Sequence, residues 1–200
     1  MFRKRIGGGI KYIVAGLGNP GKKYTFTRHN AGFLALDFIA KTRNFKINTI
    51  KFKSLTGRCD YFIGEPCGVL FLKPQTYMNR SGEAVAEAAR FYKVPVENII
   101  LIFDDVSLPA GKIRIRRSGS HGGQKGAESV IDHLQSDNFP RIKIGVGEKP
   151  HPDYELADWV LSELSGEEKK IVFDTFVRVD AALTEIIETG STESAMNKYN

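Results

Sequence analysis

The sequence predicts an α/β fold, a single domain with a mixed, twisted β-sheet flanked by helices. Three observations predict the class. Short and almost wholly apolar runs at residues 12–15, 67–72 and 99–103 have the length of buried strands, and each ends in a polar loop. Residues 31–43 and 81–92 instead repeat their apolar side chains at helical spacing. Strand-like segments near residues 45–72 follow one another with no helix between them, so hairpin-linked strands share the sheet with strand–helix–strand units.

Residues 12–15 form the first strand and run into the loop GLGNPGKKYTFTRHN, residues 16–30. The helix that follows buries Phe33, Leu34, Leu36 and Ile39, with Thr27 or Asn30 as the expected N-cap. Residues 45–53 alternate loosely, and strands are expected over 56–63 and 67–72. A second polar loop, Lys73 to Asn79, then leads to a helix capped by Ser81 and running to about Tyr92. The strand at 99–103 closes in Asp104 and Asp105. In GKIRIRR, Ile113 and Ile115 point to one face and Lys112, Arg114 and Arg116 to the other. SGSHGG is a glycine-rich turn opening a helix over about 124–134, and residues 141–146 are the last clear strand. Ser165 and Glu168 form a capping box for a long amphipathic helix that Gly190 stops, with a short helix from Thr192.

Composition narrows the class. Two hundred residues with 42% hydrophobic and 26% charged content suit one globular domain, and no apolar run approaches the roughly 20 residues of a membrane span. The start MFRKRIGGGI is basic without the apolar core of a signal peptide, so residues 1–10 are read as a basic extension before a domain at 11–200. Cys59 and Cys67 have neither metal nor redox spacing, and a cytoplasmic location is expected. The net charge of +6 conceals an asymmetry: residues 1–152 carry +13 and residues 153–193 carry −8. Such a division steers a polyanion to one side of a protein.

Gly16, Gly18 and Gly21 spell the dinucleotide fingerprint, but the pattern fails in its details. Pro20 precedes the third glycine, no helix opens there, and Asp37 sits inside a helical pattern rather than at a strand end. Three strand-end loops do offer polar groups for one crevice: Asn19 and His29, then Asn79, then Asp104. A histidine beside a carboxylate and two amides can activate water, the carboxylate setting the imidazole tautomer. No serine occupies a nucleophile elbow, and His121, His133 and His151 lack ligand spacing, so neither covalent nor metal-assisted chemistry is expected.

Along residues 12 to 165, GLGNPGKKYTFTRHNAG, KPQTYMNRSGEAV, DDVSLPAGKIRIR and SHGGQKG followed by IKIGVG resemble the bacterial-type peptidyl-tRNA hydrolases. The resemblance implies hydrolysis of the ester joining a peptide to the 3′-terminal ribose of tRNA, by a monomer without cofactor or metal that engages the acceptor stem and 3′ end. It implies His29 as catalytic base and Asp104 as its carboxylate. Asn19 would help distinguish peptidyl from aminoacyl ends, and Asn79 would orient water and substrate. Tyr24 and Tyr77 would line the cleft, and Arg116 and Lys143 would clasp the tRNA 5′ phosphate. One departure stands out: where the family usually has His-Asn-Gly, this chain has Gln124, Lys125 and Gly126. A lysine cannot accept a hydrogen bond in the asparagine's place. Lys125 is expected to point outward and add charge to the RNA-facing wall, because neither Gln124 nor His121 offers a buried carboxylate partner. A binding protein that has lost hydrolysis is the rival reading, and a phosphorylase-like enzyme the next.

Overall fold

The computed structural model describes residues 9–200; the basic start expected over residues 1–10 lies almost wholly outside them. Seven strands make one sheet: β1 (Ile10–Gly16), β2 (Thr49–Lys51), β3 (Ser54–Ile63), β4 (Glu65–Pro74), β5 (Ile99–Asp105), β6 (Ile113–Arg116) and β7 (Arg141–Gly145). Their spatial order is β2-β3-β4-β1-β5-β7-β6. β4, β1, β5 and β7 are mutually parallel, while β2, β3 and β6 join antiparallel at the two edges. The sheet is therefore mixed, as the run of helix-free strands predicts.

The helices are α1 (Ala31–Thr42), α2 (Ser81–Tyr92), α3 (Lys125–Leu134), α4 (Leu156–Leu161), α5 (Gly166–Thr189) and α6 (Thr192–Tyr199). Strand alternation divides the core in two. Val14, Ile100, Ile102, Ile142 and Ile144 face α1, α5 and α6, and Ile13, Ala15, Leu101 and Phe103 face α2 and α3. The chain leaves β1 through α1 to reach β4 on one side, then crosses through α2 to β5 on the other. The carboxyl end of β1 is thus the point where the winding reverses, the place where open α/β sheets hold ligands.

Several local readings differ from the structure. Asn30 occupies the N-cap position of α1 without a capping hydrogen bond, because its side chain is committed to Asn19. Ser81 lies inside α2 rather than before it; a single 3-10 turn, Met78–Arg80, comes first, and the Ser81 hydroxyl donates back to the Met78 carbonyl. Asp104 and Asp105 belong to β5 itself. The capping box of Ser165 and Glu168 is present, and Gly190 ends α5 with φ of 66°. The short helix α4 has no counterpart in the periodicity reading.

Candidate active site

Three strand ends and one helix start meet above β1. The loop after β1 supplies Asn19 and, at its far end, Arg28, His29 and Asn30 on a 3-10 turn that runs directly into α1. The loop after β4 supplies Tyr77, Met78 and Asn79, β5 supplies Asp104, and the start of α3 supplies Gln124. Together with the apolar side chains of α4 they enclose a cleft of about 400 Å³.

His29 and Asp104 meet here, 75 positions apart in sequence. The imidazole Nδ1 lies 2.9 Å from Asp104 Oδ2, with Asp104 only 3% exposed. A carboxylate accepts the Nδ1 proton and so leaves Nε2 as the basic nitrogen on the cleft side. Burial works against charging this imidazole, but the charge and hydrogen bond of Asp104 outweigh it, and the His29 pKa lies above the ordinary histidine value. Asp105, turned to the opposite face by strand alternation, is engaged elsewhere. Its carboxylate accepts from Ser107 and from Lys143 at 2.9 Å. Burial would raise the Asp105 carboxyl, yet Ser107 and Lys143 hold it below the usual carboxylate range.

The two loops are tied together through Asn19. Its backbone N–H donates to Asn30 Oδ1 at 2.8 Å and its carbonyl accepts from Asn30 Nδ2 at 3.0 Å, so Asn30 locks the two ends of the first loop. The Asn19 Oδ1 accepts the Met78 backbone N–H at 2.8 Å, pinning the second loop to the first. Only the Nδ2 half of the Asn19 amide is left for a ligand among the described residues. Asn79, by contrast, is exposed in the cleft and its amide makes no hydrogen bond to the described residues. Tyr77 adopts φ 60° and ψ 163°, a region nearly reserved for glycine that costs a residue with a side chain on the order of 1–3 kcal/mol. The Asn19–Met78 bond and the Thr76 hydroxyl, which donates to the Arg80 carbonyl at 3.0 Å, hold this conformation. Tyr24 differs from the expectation in not lining the cleft; it sets its ring edge-on to Tyr77, which does, with centroids 6.5 Å apart.

Neither Arg28 nor α4 was singled out from sequence; α4 forms the opposite wall of the cleft and Arg28 anchors it through Trp159. Arg28 is 3% exposed and stacks on Trp159 at 3.5 Å. It donates to Ser162 Oγ and the Glu163 carbonyl, both at 2.8 Å, and pairs with Glu168. The stack fastens the His29 loop to α4, whose Leu156, Val160 and Leu161 face the cleft. Arg141, also unnoticed, is 1% exposed. Its guanidinium donates to the carbonyls of Gly119 (2.5 Å), Ser120 (3.0 Å) and Asp137 (2.9 Å), setting the glycine-rich turn against β7.

The basic residues fall on one face of the β6–β7 edge. Register pairs Arg114 with Lys143 and Arg116 with Arg141, and paired residues of an antiparallel ladder share a face. Arg114 and Arg116 are exposed there. Lys143, matched by the resemblance to a 5′-phosphate contact, is paired with Asp105, and its side chain is 18% exposed. Lys125 belongs to the lining of the cleft, but its side chain is 66% exposed and pairs with Glu128 at 2.9 Å, one turn along α3. That pairing also offsets a positive charge at a helix start, where the dipole disfavours it. Among the described residues no group of three or more His, Cys, Asp or Glu is placed to hold a metal ion, and no helix is long and apolar enough to cross a membrane.

Known proteins resemble this chain over nearly its whole length. Residues 13–200 match the profile of the peptidyl-tRNA hydrolase family. A peptidyl-tRNA hydrolase of Caldanaerobacter subterraneus is 49% identical over 189 residues, covering 94% of this chain and 99% of the relative. One from Caldicellulosiruptor saccharolyticus is 46% identical over 191 residues, covering 96% and 97%. The crystal structure of the Acinetobacter baumannii peptidyl-tRNA hydrolase superposes with a TM-score of 0.84 at 30% identity, covering 96% of each chain.

Proposed function

The chain belongs to the peptidyl-tRNA hydrolase family, and from that membership we propose a mechanism in which His29 activates water against the ester of peptidyl-tRNA. The enzyme is a hydrolase that splits the peptide from the 3′-terminal ribose. In our reading Nε2 of His29 takes a proton as water attacks the ester carbonyl carbon, while Asp104 stabilises the imidazolium that forms. The imidazolium then returns the proton to the departing ribose oxygen, leaving a peptide carboxylic acid and free tRNA. Atoms and charge balance without a cofactor. The free amide of Asn79 and the Nδ2 of Asn19 are the groups we assign to the water and the carbonyl oxygen, and Tyr24 and Tyr77 to the rim that receives the terminal nucleotide. The observation that carries the reading is the 2.9 Å contact between Nδ1 of His29 and a buried Asp104 at a cleft bearing an unengaged amide. A monomer working in the cytoplasm, with its basic edge toward the acceptor stem, completes the proposal.

The test is acyl release from N-acetyl-aminoacyl-tRNA, with the same tRNA carrying a free α-amino group as the comparison. Rapid release from the first and slow release from the second is the expected pattern. Binding of both without release favours an RNA-binding protein that has lost hydrolysis.

The basic edge gives a graded expectation. Arg116→Ala should raise KM with little change in kcat and flatten the salt dependence of tRNA binding by a slope of about 0.7–0.9, one phosphate contact. Lys143→Ala should change the slope less, since Asp105 already neutralises Lys143. Binding titrations at several salt concentrations check both; equal slopes for the two variants would mean that Lys143 leaves Asp105 when RNA binds. Lys125→Asn should weaken tRNA binding only slightly and leave the acid limb of the pH–rate profile in place, because the ammonium faces Glu128 and solvent. Movement of that limb toward higher pH in kcat/KM measurements would put the ammonium beside His29 instead.

A further inference from the structure

We propose that Gln124 is a positioning residue of the hydrolysis, holding the Asp104 carboxylate in the orientation that presents Oδ2 to His29 while its own amide is locked by the first turn of α3. The proposal rests on the reading of His29 and Asp104 as base and partner.

Gln124 is 8% exposed and sits at the N-cap of α3. Its Oε1 accepts the Ala127 backbone N–H at 2.7 Å, satisfying one of the donors that every helix start leaves open. That bond decides the amide's orientation. Turning the amide over would set an NH₂ group against a backbone N–H and lose the cap, so Nε2 has to be the atom directed at β5. It lies 3.1 Å from Asp104 Oδ1, with the Met78 sulfur at 3.2 Å.

Asp104 therefore receives one donor on each oxygen, His29 on Oδ2 and Gln124 on Oδ1. Two donors on opposite oxygens fix the carboxylate plane, whereas a single donor leaves it free to turn about its last torsion. No other hydrogen bond among the described residues reaches Oδ1. The surroundings fix Gln124 in turn: a side chain at Gly126 would collide with Met78 Sδ and come within 3.1 Å of Gln124 Oε1. The start of α3 is packed directly on the loop that carries Tyr77 and Asn79. Gln124 has no ionisation of its own, so in this line of contacts only His29 and Asp104 can exchange protons.

Serine separates the two roles, because it is a strong N-cap but too short to reach Asp104. If Gln124 only caps α3, Gln124→Ser should match the wild-type enzyme. If it positions Asp104, Gln124→Ser should keep KM and, measured well below the variant's Tm because Asp104 Oδ1 loses its buried donor, lose about 10- to 100-fold in kcat, the scale of a small misplacement of a catalytic group, with the acid limb of the pH–rate profile displaced. Gln124→His supplies a donor and an acceptor on one ring. It should recover most of kcat at alkaline pH and steepen the acid limb from one proton to two, since the new imidazole must be neutral to accept from Ala127. Wild-type kcat and an unmoved limb in Gln124→Ser would overturn the proposal, as would equal kcat losses in both variants when each is measured well below its Tm. The measurements include His29→Ala and Asp104→Asn. If those two retain turnover, the base assignment itself is wrong; if they collapse while Gln124→Ser is normal, only the role of Gln124 fails.

Discussion

His29→Ala is expected to lower the single-turnover rate on N-acetyl-aminoacyl-tRNA by about 10²–10⁴, the range for loss of a general base, while affinity for the tRNA stays close to that of the wild type. The separation follows from position. His29 reaches the cleft from the turn before α1, whereas the exposed arginines lie on β6 at the far edge of the sheet. The substitution also strips Asp104 Oδ2 of its hydrogen-bond donor inside a buried site, which costs stability on the order of 1–3 kcal/mol. The rate should accordingly be measured well below the variant's Tm. A rate within a few-fold of the wild type under those conditions would remove His29 from the mechanism.

Asp104→Asn should lower kcat on a comparable scale, and its effect on pH dependence has a definite sign. Gln124 keeps its Nε2 directed at residue 104 because Ala127 holds the other end of the amide. The new asparagine must therefore turn its carbonyl oxygen to Gln124 and its NH₂ to His29. Nδ1 then has to accept, the proton moves to Nε2, and the base is lost through the wrong tautomer; the comparable change in a serine-protease triad costs about 10⁴. The charge that raises the His29 pKa also disappears while the opposing burial remains. Whatever activity survives should have its acid limb moved to lower pH. Asp105→Asn is the control, since that carboxylate faces Ser107 and Lys143. Damage from Asp105→Asn with a silent Asp104→Asn would identify the wrong carboxylate.

What could be read from the chain before folding, and what could not, follows the range of the interactions. Ser165 and Glu168 cap a helix through contacts three residues apart, and that signal was legible. Asn30 looked like a cap on the same grounds, but its side chain is bonded to Asn19, 11 residues away. β2 is three residues long and turns into β3 through Phe52 and Lys53, both at positive φ. Such a turn normally carries Asn or Gly; here burial of the Phe52 ring against Phe91 and Tyr92 accompanies the strained backbone. α4 spans six residues, too few to show a period, and Arg28 stacked on Trp159 holds it. The pairing of His29 with Asp104 was legible because strand ends gather loops at one edge of a parallel sheet. Gln124 was legible only as an odd residue in a turn. Its contact with Asp104 depends on how closely α3 packs on β5, which no local pattern in either segment records.

The central claim, that His29 is the base and Asp104 sets its pKa, is tested most directly by following the His29 ring by NMR as a function of pH in the free enzyme. The same enzyme's kcat/KM profile on N-acetyl-aminoacyl-tRNA reports the ionisations of the free enzyme. The account predicts that the ring titrates above the ordinary value of about 6.5, that the acid limb of kcat/KM has the same midpoint, and that both move together to lower pH in Asp104→Asn. A His29 titration that fails to coincide with the kinetic limb, or a limb that stays in place when Asp104 is replaced, would contradict it.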